Sequence, residues 1–375
     1  MKIIFTGGGT AGHINPALAV AKYIRSSHPD WEILFIGTQA GLEKKLVPKE
    51  GFNIKYISIR GFRRKLTIDN LVAVGDIFVG MLQAKKIISD FKPDIVIGTG
   101  GYVCGPVILN ASMMKIPTIL HEQNAIPGVT IKMLSRYVDA IAVGFQESRK
   151  YLKHVRKVIH TGNPVRQELM NIDQNKAKIR LGLTDKKVIL VLGGSLGAKK
   201  INEIMVEYIK DICHQDRFYL MFGTGDSQYE KVIDGLNYYG VDIKSRKDIK
   251  IFPYIHDMDI YAAADLVICR CGAMTLSEMT VMGKPTILIP YPYAAHNHQE
   301  YNARALENRG AAIVFTENEL NYLKLRNQVE NLLKDNIILN KMGKNSFRMG
   351  ITNATEKIYN IIIELLEKNN KKIRK

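Results

Sequence analysis

The sequence predicts an α/β fold built from two doubly wound parallel sheets, and three observations carry that prediction. The chain holds two copies of one device, an apolar strand running into a glycine-rich turn and then a helix. The first is Lys2-Ile3-Ile4-Phe5-Thr6 into Gly7-Gly8-Gly9-Thr10-Ala11-Gly12-His13; the second is Lys187 to Leu192 into Gly193-Gly194-Ser195-Leu196-Gly197-Ala198. Short apolar strands alternate with amphipathic helical patterns in both halves, as a parallel sheet covered on both faces requires. At 375 residues and 46% hydrophobic content, the chain is long enough for two cores of ordinary domain size.

In the first half, strands are expected to end near Thr6, Gly37, Ile59, Gly98, His121 and Val143, with helices over Pro16 to Ser26, Ile68 to Asp90 and Gly105 to Met114. Pro16 after Asn15 reads as a first helical position, where a missing N–H costs nothing. The stretch Val158 to Arg166 breaks the rhythm with turn residues, and the boundary between domains is placed at Asn163. Further strands are expected over Val188 to Leu192, Phe218 to Phe222, Ile249 to Phe252, Leu266 to Cys269 and Thr286 to Ile289. Three helical patterns close the chain, the last over Thr352 to Glu367, and the charged tail Lys368 to Lys375 is expected to be disordered.

Composition narrows the setting. A net charge of +17 favours an anionic partner, whether nucleic acid, acidic membrane or phosphorylated substrate. Four irregularly spaced cysteines (Cys104, Cys213, Cys269, Cys271) form no disulfide framework and suggest a reducing compartment. A strand opens at Lys2, so no secretory leader is expected, and no apolar run of 18 or more residues is available to span a bilayer. Any membrane contact is therefore expected to be peripheral. The stretch Ile68 to Ile88 suits it: Leu71, Val72, Val74, Ile77, Phe78, Val79, Met81 and Leu82 cover an arc of about 220°, twice what a core-facing helix needs. Arg63, Arg64 and Lys65 before it and Lys85 and Lys86 after it supply a basic rim for anionic headgroups.

A glycine turn at a helix start aims N–H groups and the positive end of the helix dipole at a ligand, which suits phosphate. Gly7, Gly9 and Gly12 match the dinucleotide fingerprint, but that reading needs an acid after the second strand, and Ile36 is followed by Gly37-Thr38-Gln39. Gly193-x-Ser195-x-Gly197 matches a hydrolase nucleophile elbow, which leaves the first turn unexplained. Neither turn continues into the Lys-Ser/Thr of a P-loop. Cys269-x-Cys271 with His296-x-His298 lacks the spacing of the usual zinc modules, and Asp257 of Asp257-Met258-Asp259 reads as a helix cap. Neither a metal nor another cofactor is expected.

Blocks along essentially the whole chain then carry a resemblance. They are Gly7 to His13, Gly100-Gly101-Tyr102-Val103-Cys104-Gly105-Pro106, His121-Glu122-Gln123-Asn124, Gly162 to Arg166, Gly193 to Ala198, Cys269 to Glu278 and His298-Gln299-Glu300-Tyr301-Asn302-Ala303. In these the sequence resembles the MurG family of peptidoglycan glycosyltransferases, which move N-acetylglucosamine (GlcNAc) from UDP-GlcNAc onto undecaprenyl-pyrophosphoryl-MurNAc-pentapeptide (lipid I), giving lipid II. It departs from the family at Leu196, Cys104 and Cys271, where Gln, Ser and Ser are frequent. The resemblance implies the GT-B arrangement, two Rossmann-like domains facing across a cleft. An N-terminal acceptor-binding and membrane-associated domain would take residues 1–163 and about 352–375, and a UDP-GlcNAc-binding domain residues 164–351. The implied setting is the cytoplasmic face of the bacterial membrane, with an anionic membrane surface and no nucleic acid as partner. Other readings stay open: another lipid glycosyltransferase such as a diacylglycerol type, a UDP-GlcNAc epimerase, or a non-catalytic sugar-nucleotide-binding scaffold.

Residue roles follow from chemistry and from matching positions. An attacking sugar hydroxyl must lose its proton, and His13, beside the first turn, is the leading general-base candidate, with Glu122 and then His121 as rivals. Glu278, expected in the first turn of its helix, has two oxygens for the vicinal hydroxyls of a ribose. The amides of Gly194 to Gly197 and the Ser195 hydroxyl suit a leaving pyrophosphate. Gln299 offers a donor and an acceptor to sugar hydroxyls. The resemblance further implies UDP-GlcNAc contacts at Thr10, Ala11, Gly12, Asn124, Arg166, Ile255, Ala273, Met274, Thr275, Leu276 and Ser277. The acceptor diphosphate is expected at Gly8, Gly9, Gly100, Gly101 and Tyr102, on turns that follow adjacent strand ends.

Overall fold

The computed structural model describes residues 1–60, 68–153, 155–194, 197–213, 215 and 217–373, with side chains for all of these except 68–74 and 370–373. It divides into two compact units, Met1–Val165 with Ile351–Lys375, and Arg166–Gly350.

The first unit is a seven-stranded, wholly parallel sheet of β1 (Lys2–Thr6), β2 (Glu32–Gly37), β3 (Asn53–Tyr56), β4 (Ile95–Gly98), β5 (Thr118–Glu122), β6 (Ala140–Val143) and β7 (Val158–His160), in the order β3-β2-β1-β4-β5-β6-β7. The two-residue period of a strand sends its apolar side chains to both faces. Ile3 and Phe5 pack with Ile14 and Ala17 of the helix Ala11–Ser27 and with Ile358 and Ile362 of the helix Ala354–Ile373. Ile4 packs on the other face with Ala84 and Ile88 of the helix Ile68–Phe91 and with Val107 and Ile108 of the helix Cys104–Met113. The second unit repeats the plan with six parallel strands, β8 (Lys187–Leu192), β9 (Phe218–Gly223), β10 (Ile249–Phe252), β11 (Leu266–Cys269), β12 (Thr286–Leu288) and β13 (Ala312–Val314), in the order β10-β9-β8-β11-β12-β13.

In both sheets the strand order reverses beside the first strand, between β1 and β4 and between β8 and β11. The carboxyl ends at such a reversal are where open α/β sheets bind ligands. The turns after Thr6, Gly98, Leu192 and Cys269 all lie there.

Several expected boundaries move. The first helix begins at Ala11, so Pro16 is its sixth residue and Gly12 and His13 belong to its first turn. The stretch read as turn from Val158 starts with β7, because two β-branched residues pair with β6 before the true turn at Gly162, whose φ is +77°. β13 is too short to show a pattern, and β3 ends at Tyr56 rather than near Ile59. The last helix continues to Ile373, through much of the expected disordered tail; its lysines have good helix propensity, and the preceding turns are anchored by Ile358, Ile362 and Leu366.

Candidate active site

His13 is half-buried in the first turn of the helix Ala11–Ser27. Thr10 caps this helix in extended backbone with no side-chain hydrogen bond, and its carbonyl accepts from the amides of His13 and Ile14. The amides of Ala11 and Gly12 have no protein acceptor among the described residues, and no acid lies in the first turn, so the helix presents an uncapped positive end. The His13 Nδ1 lies 3.0 Å from Gln123 Oε1, and the His13 carbonyl accepts from Thr99 Oγ1 at 2.7 Å. Thr99 reaches it because Gly7 has no side chain: a Cβ there would stand 2.1 Å from that hydroxyl. Gly100, at φ +107°, makes similar room, since its Cβ would lie 2.7 Å from His13 Nδ1. Desolvation lowers the His13 pKa below its ordinary value, while the Gln123 bond and the charge of Glu43 act in the opposite direction.

The glycine amides beside it differ from expectation. Gly9 N–H donates to Glu43 Oε2 at 3.0 Å and Gly8 N–H to the Gly100 carbonyl at 3.3 Å, so neither is open to a diphosphate. Glu43 is 1% exposed and also accepts from the amide and hydroxyl of Thr38, at 2.9 and 2.8 Å. The Gly100 amide is taken by the Cys104 sulfur at 3.2 Å, and that thiol donates in turn toward the carbonyls of Thr6 and Gly100. Burial pushes the Cys104 thiol up to about 12, so it acts as a neutral brace. The amides of Gly101 and Tyr102 keep no protein acceptor among the described residues.

Glu122 is likewise committed. Its Oε1 accepts from the Asn124 amide and side chain, at 2.8 and 3.1 Å, and its Oε2 from Gly128 N–H at 2.9 Å. A buried carboxylate holding a loop by three N–H donors is a poor base, because protonation would break those bonds. His121 is 1% exposed, and burial drops its pKa to about 4.

In the second unit, Arg166 and Glu278 form a bidentate pair, Nε to Oε1 at 2.7 Å and Nη2 to Oε2 at 2.9 Å. The guanidinium lies over the Tyr261 ring, 5.1 Å from its centroid, and the Tyr261 hydroxyl donates to the Ile255 carbonyl at 3.3 Å. Arg166, Glu278 and Ile255, assigned separately from sequence, thus share one cluster. Glu278 is the sixth residue of the helix Ala273–Val281, in its second turn rather than its first. The amides of Ala273, Met274 and Thr275 have no protein acceptor among the described residues, no side chain caps Gly272, and Leu276 N–H closes onto the Gly272 carbonyl. This is the second uncapped helix end at a sheet reversal. The Ser277 hydroxyl donates back to the Ala273 carbonyl at 2.9 Å.

Two further expectations change. The helix after β8 begins at Lys199, and Gly197 N–H donates to the Gly194 carbonyl, so that amide is not available to a phosphate; Ser195 and Leu196 lie outside the described residues. Gln299 Oε1 accepts from Cys271 N–H and Tyr291 N–H, at 3.1 and 3.0 Å, leaving this side chain a donor rather than a donor and acceptor together. Among the described residues no three His, Cys, Asp or Glu side chains gather as a metal site. Asp257 caps its helix by accepting from Asp259 N–H.

Residues 3–143 match the glycosyltransferase family 28 N-terminal domain, and residues 188–359 match the family 28 C-terminal domain. The chain is 53% identical, over 98% of its length and 99% of the relative's, to the UDP-N-acetylglucosamine–N-acetylmuramyl-(pentapeptide) pyrophosphoryl-undecaprenol N-acetylglucosamine transferase of Acetivibrio thermocellus. The chain belongs to the MurG family, within glycosyltransferase family 28. A MurG crystal structure from Acinetobacter baumannii superposes with a TM-score of 0.78 at 29% identity, covering 97% of this chain and 99% of that one. The UDP-GlcNAc 2-epimerase of Neisseria meningitidis, at 16% identity and TM-score 0.66 over 98% and 100% of the two chains, shares the fold alone. This MurG-family chain is therefore a glycosyltransferase with two Rossmann-like units of the GT-B class.

Glu43, Thr99 and Gln123 are what the sequence reading missed in the MurG-family site. Gln123 sits two residues after His121, at the spacing that shares one side of an extended segment, and that period was its one local signal. Glu43 had none, since its partners Thr38 and Gly9 come from separate loops.

Proposed function

We propose that this MurG-family enzyme transfers GlcNAc from UDP-GlcNAc to the C4 hydroxyl of MurNAc in undecaprenyl-pyrophosphoryl-MurNAc-pentapeptide, converting lipid I to lipid II with inversion. The observation that carries the reading is His13, an imidazole with lowered pKa in the first turn of an uncapped helix at the reversal of the first sheet. His13 takes the C4 hydroxyl proton, the C4 oxygen bonds to the anomeric carbon, and the bond from that carbon to the UDP oxygen breaks. The amides of Ala273, Met274 and Thr275 face the pyrophosphate as it gains charge. Glu278 reads the ribose, Arg166 orients Glu278, and Gln299 donates to a GlcNAc hydroxyl. Ile255, Leu276, Ser277, Asn124 and Thr10 to Gly12 complete the donor contacts. With Gly8 and Gly9 already engaged, the acceptor diphosphate falls to Gly101 and Tyr102.

On this reading the first unit takes the acceptor and the membrane, and the second takes the donor. Phe78, Val79 and Leu82, 67%, 44% and 55% exposed on the helix Ile68–Phe91, form the membrane face, with Lys85 and Lys86 as basic rim. Arg63, Arg64 and Lys65 lie outside the described residues, as do the side chains of Leu71, Val72 and Val74. Among the described residues no helix is long and apolar enough to cross a bilayer. The enzyme works peripherally on the cytoplasmic face, with no nucleic-acid partner.

Incubation with labelled UDP-GlcNAc, with and without a lipid I analogue, tests the proposal. Acceptor-dependent label in lipid is expected. Conversion of the label to UDP-ManNAc, or binding without turnover, overturns it.

A further inference from the structure

Gln123 is 3% exposed and its carboxamide is bonded at both ends. Its Nε2 lies 2.9 Å from the Thr99 carbonyl and 3.1 Å from the His121 carbonyl, and 3.1 Å from His121 Nδ1. A backbone carbonyl can only accept, so two of these contacts fix the donor end of the amide without reference to either imidazole. The Oε1 end then faces His13 Nδ1 at 3.0 Å, and an amide oxygen can only accept. His13 Nδ1 must therefore carry the proton, which leaves the lone pair of a neutral His13 on Nε2.

We infer that Gln123 is a positioning residue that selects the Nδ1–H tautomer of His13 and so presents Nε2 as the basic nitrogen. The inference deepens the proposed function and rests on His13 acting as base. The backbone supplies the reference that a carboxylate supplies in a His-Asp pair: the Thr99 carbonyl orients Gln123, and Gln123 orients His13. Thr99 also anchors the same histidine from behind, through its hydroxyl on the His13 carbonyl. A neutral partner has a consequence that a carboxylate would not. It fixes the tautomer while favouring the imidazolium less than a carboxylate would, so burial still holds the pKa below its ordinary value and the ring is unprotonated near neutral pH, ready to accept. The charged and titratable groups facing His13 are Glu43, from the helix Glu43–Lys49, and His121 on β5.

The test reads the ring directly. In the full-length protein with ¹⁵N-labelled histidine, His13 is assigned by its loss in His13→Ala and its tautomer read from the two ring ¹⁵N shifts. An Nδ1–H His13 is expected, and an Nε2–H His13 overturns the inference whether or not any variant folds. Gln123→Met keeps the length and removes the acceptor. It should lower kcat by about tenfold or more with donor KM nearly unchanged. The acid limb of kcat/KM should move to lower pH in Gln123→Met and to higher pH in Gln123→Glu, whose carboxylate favours the imidazolium. A folded Gln123→Met with wild-type kcat and pH profile also overturns it. If His13 is Nδ1–H but His13→Ala keeps full activity, the base assignment has failed while the orientation of the ring stands.

Discussion

Glu278→Ala is the sharpest perturbation of the proposed donor site, because the structure gives its carboxylate one specific protein partner. Arg166 takes one lone pair from each oxygen, at 2.7 and 2.9 Å, and leaves one on each for the two hydroxyls of a ribose. The Glu278 side chain is 14% exposed and the Arg166 side chain 36%, so the carboxylate is shielded while its partner remains partly wet. A hydrogen bond to a charged group is worth about 1.5–3 kcal/mol, and counting one ribose bond in full gives a loss of about 10- to 150-fold in kcat/KM for the donor. The assay compares UDP-GlcNAc with its 2′-deoxy and 3′-deoxy analogues in wild type and variant, at fixed acceptor. The variant should no longer distinguish them. Arg166→Ala should lose part of the same energy, since an unheld carboxylate is no longer aimed, and the double variant should fall short of additivity by about 1 kcal/mol or more. Equal discrimination against deoxy donors in wild type and Glu278→Ala, or full additivity, would refute the reasoning.

Four further outcomes are expected. His13→Ala should lower kcat by about 10²–10⁴ with donor binding near normal by titration calorimetry. In the wild type the acid limb of kcat/KM should lie below pH 6.5: a lowered His13 pKa means that activity is complete at neutral pH and is lost only as pH falls through that lower value. Gly100→Ala should give a folded protein with kcat reduced by about tenfold or more, because its Cβ would meet His13 Nδ1 at 2.7 Å at a φ of +107°; unchanged kcat counts against the close approach. Phe78→Ser with Leu82→Ser should weaken co-sedimentation with anionic liposomes and activity on long-chain acceptor while sparing a short-chain soluble acceptor.

The order of strands and helices was legible because most strands are apolar runs, with β3 and β10 interrupted by a lysine, and each glycine turn marks a strand end. The edges were not. β7 and β13 are three-residue edge strands set among turn residues, and so short a run does not stand out from the turns beside it. Within the site, types of residue were legible and their commitments were not. Glu122, Gln299, Gly9 and Gly197 all have the chemistry assigned to them from sequence. Asn124 and Gly128, Cys271 and Tyr291, Glu43 and Gly194 respectively have claimed it already, and whether a loop folds back onto a side chain, from near or far in the chain, is not written in residue spacing. Arg166 with Glu278 is the same limitation seen from the other side, a contact across 112 positions.

Glu43 makes the two glycine turns unequal in what they will accept. Gly8, Gly37 and Gly41 would each carry a Cβ within 2.5 Å of its side chain, so the sequence clears a cage for one carboxylate and closes it with Thr38 and Gly9. The first turn is thereby a receptor with its own tethered ligand. A phosphate arriving there meets a like charge, an interaction worth roughly 4 kcal/mol at 4 Å in an effective dielectric of 20, whereas Gly193, Gly194 and Gly197 have no carboxylate against them among the described residues. Repetition of a fold twice along one chain would ordinarily give two competing addresses for the same nucleotide sugar. With Glu43 filling the first turn from within, its Gly9 amide is closed to an anion, and the uncapped helix start at Ala11 and Gly12 stays open beside it.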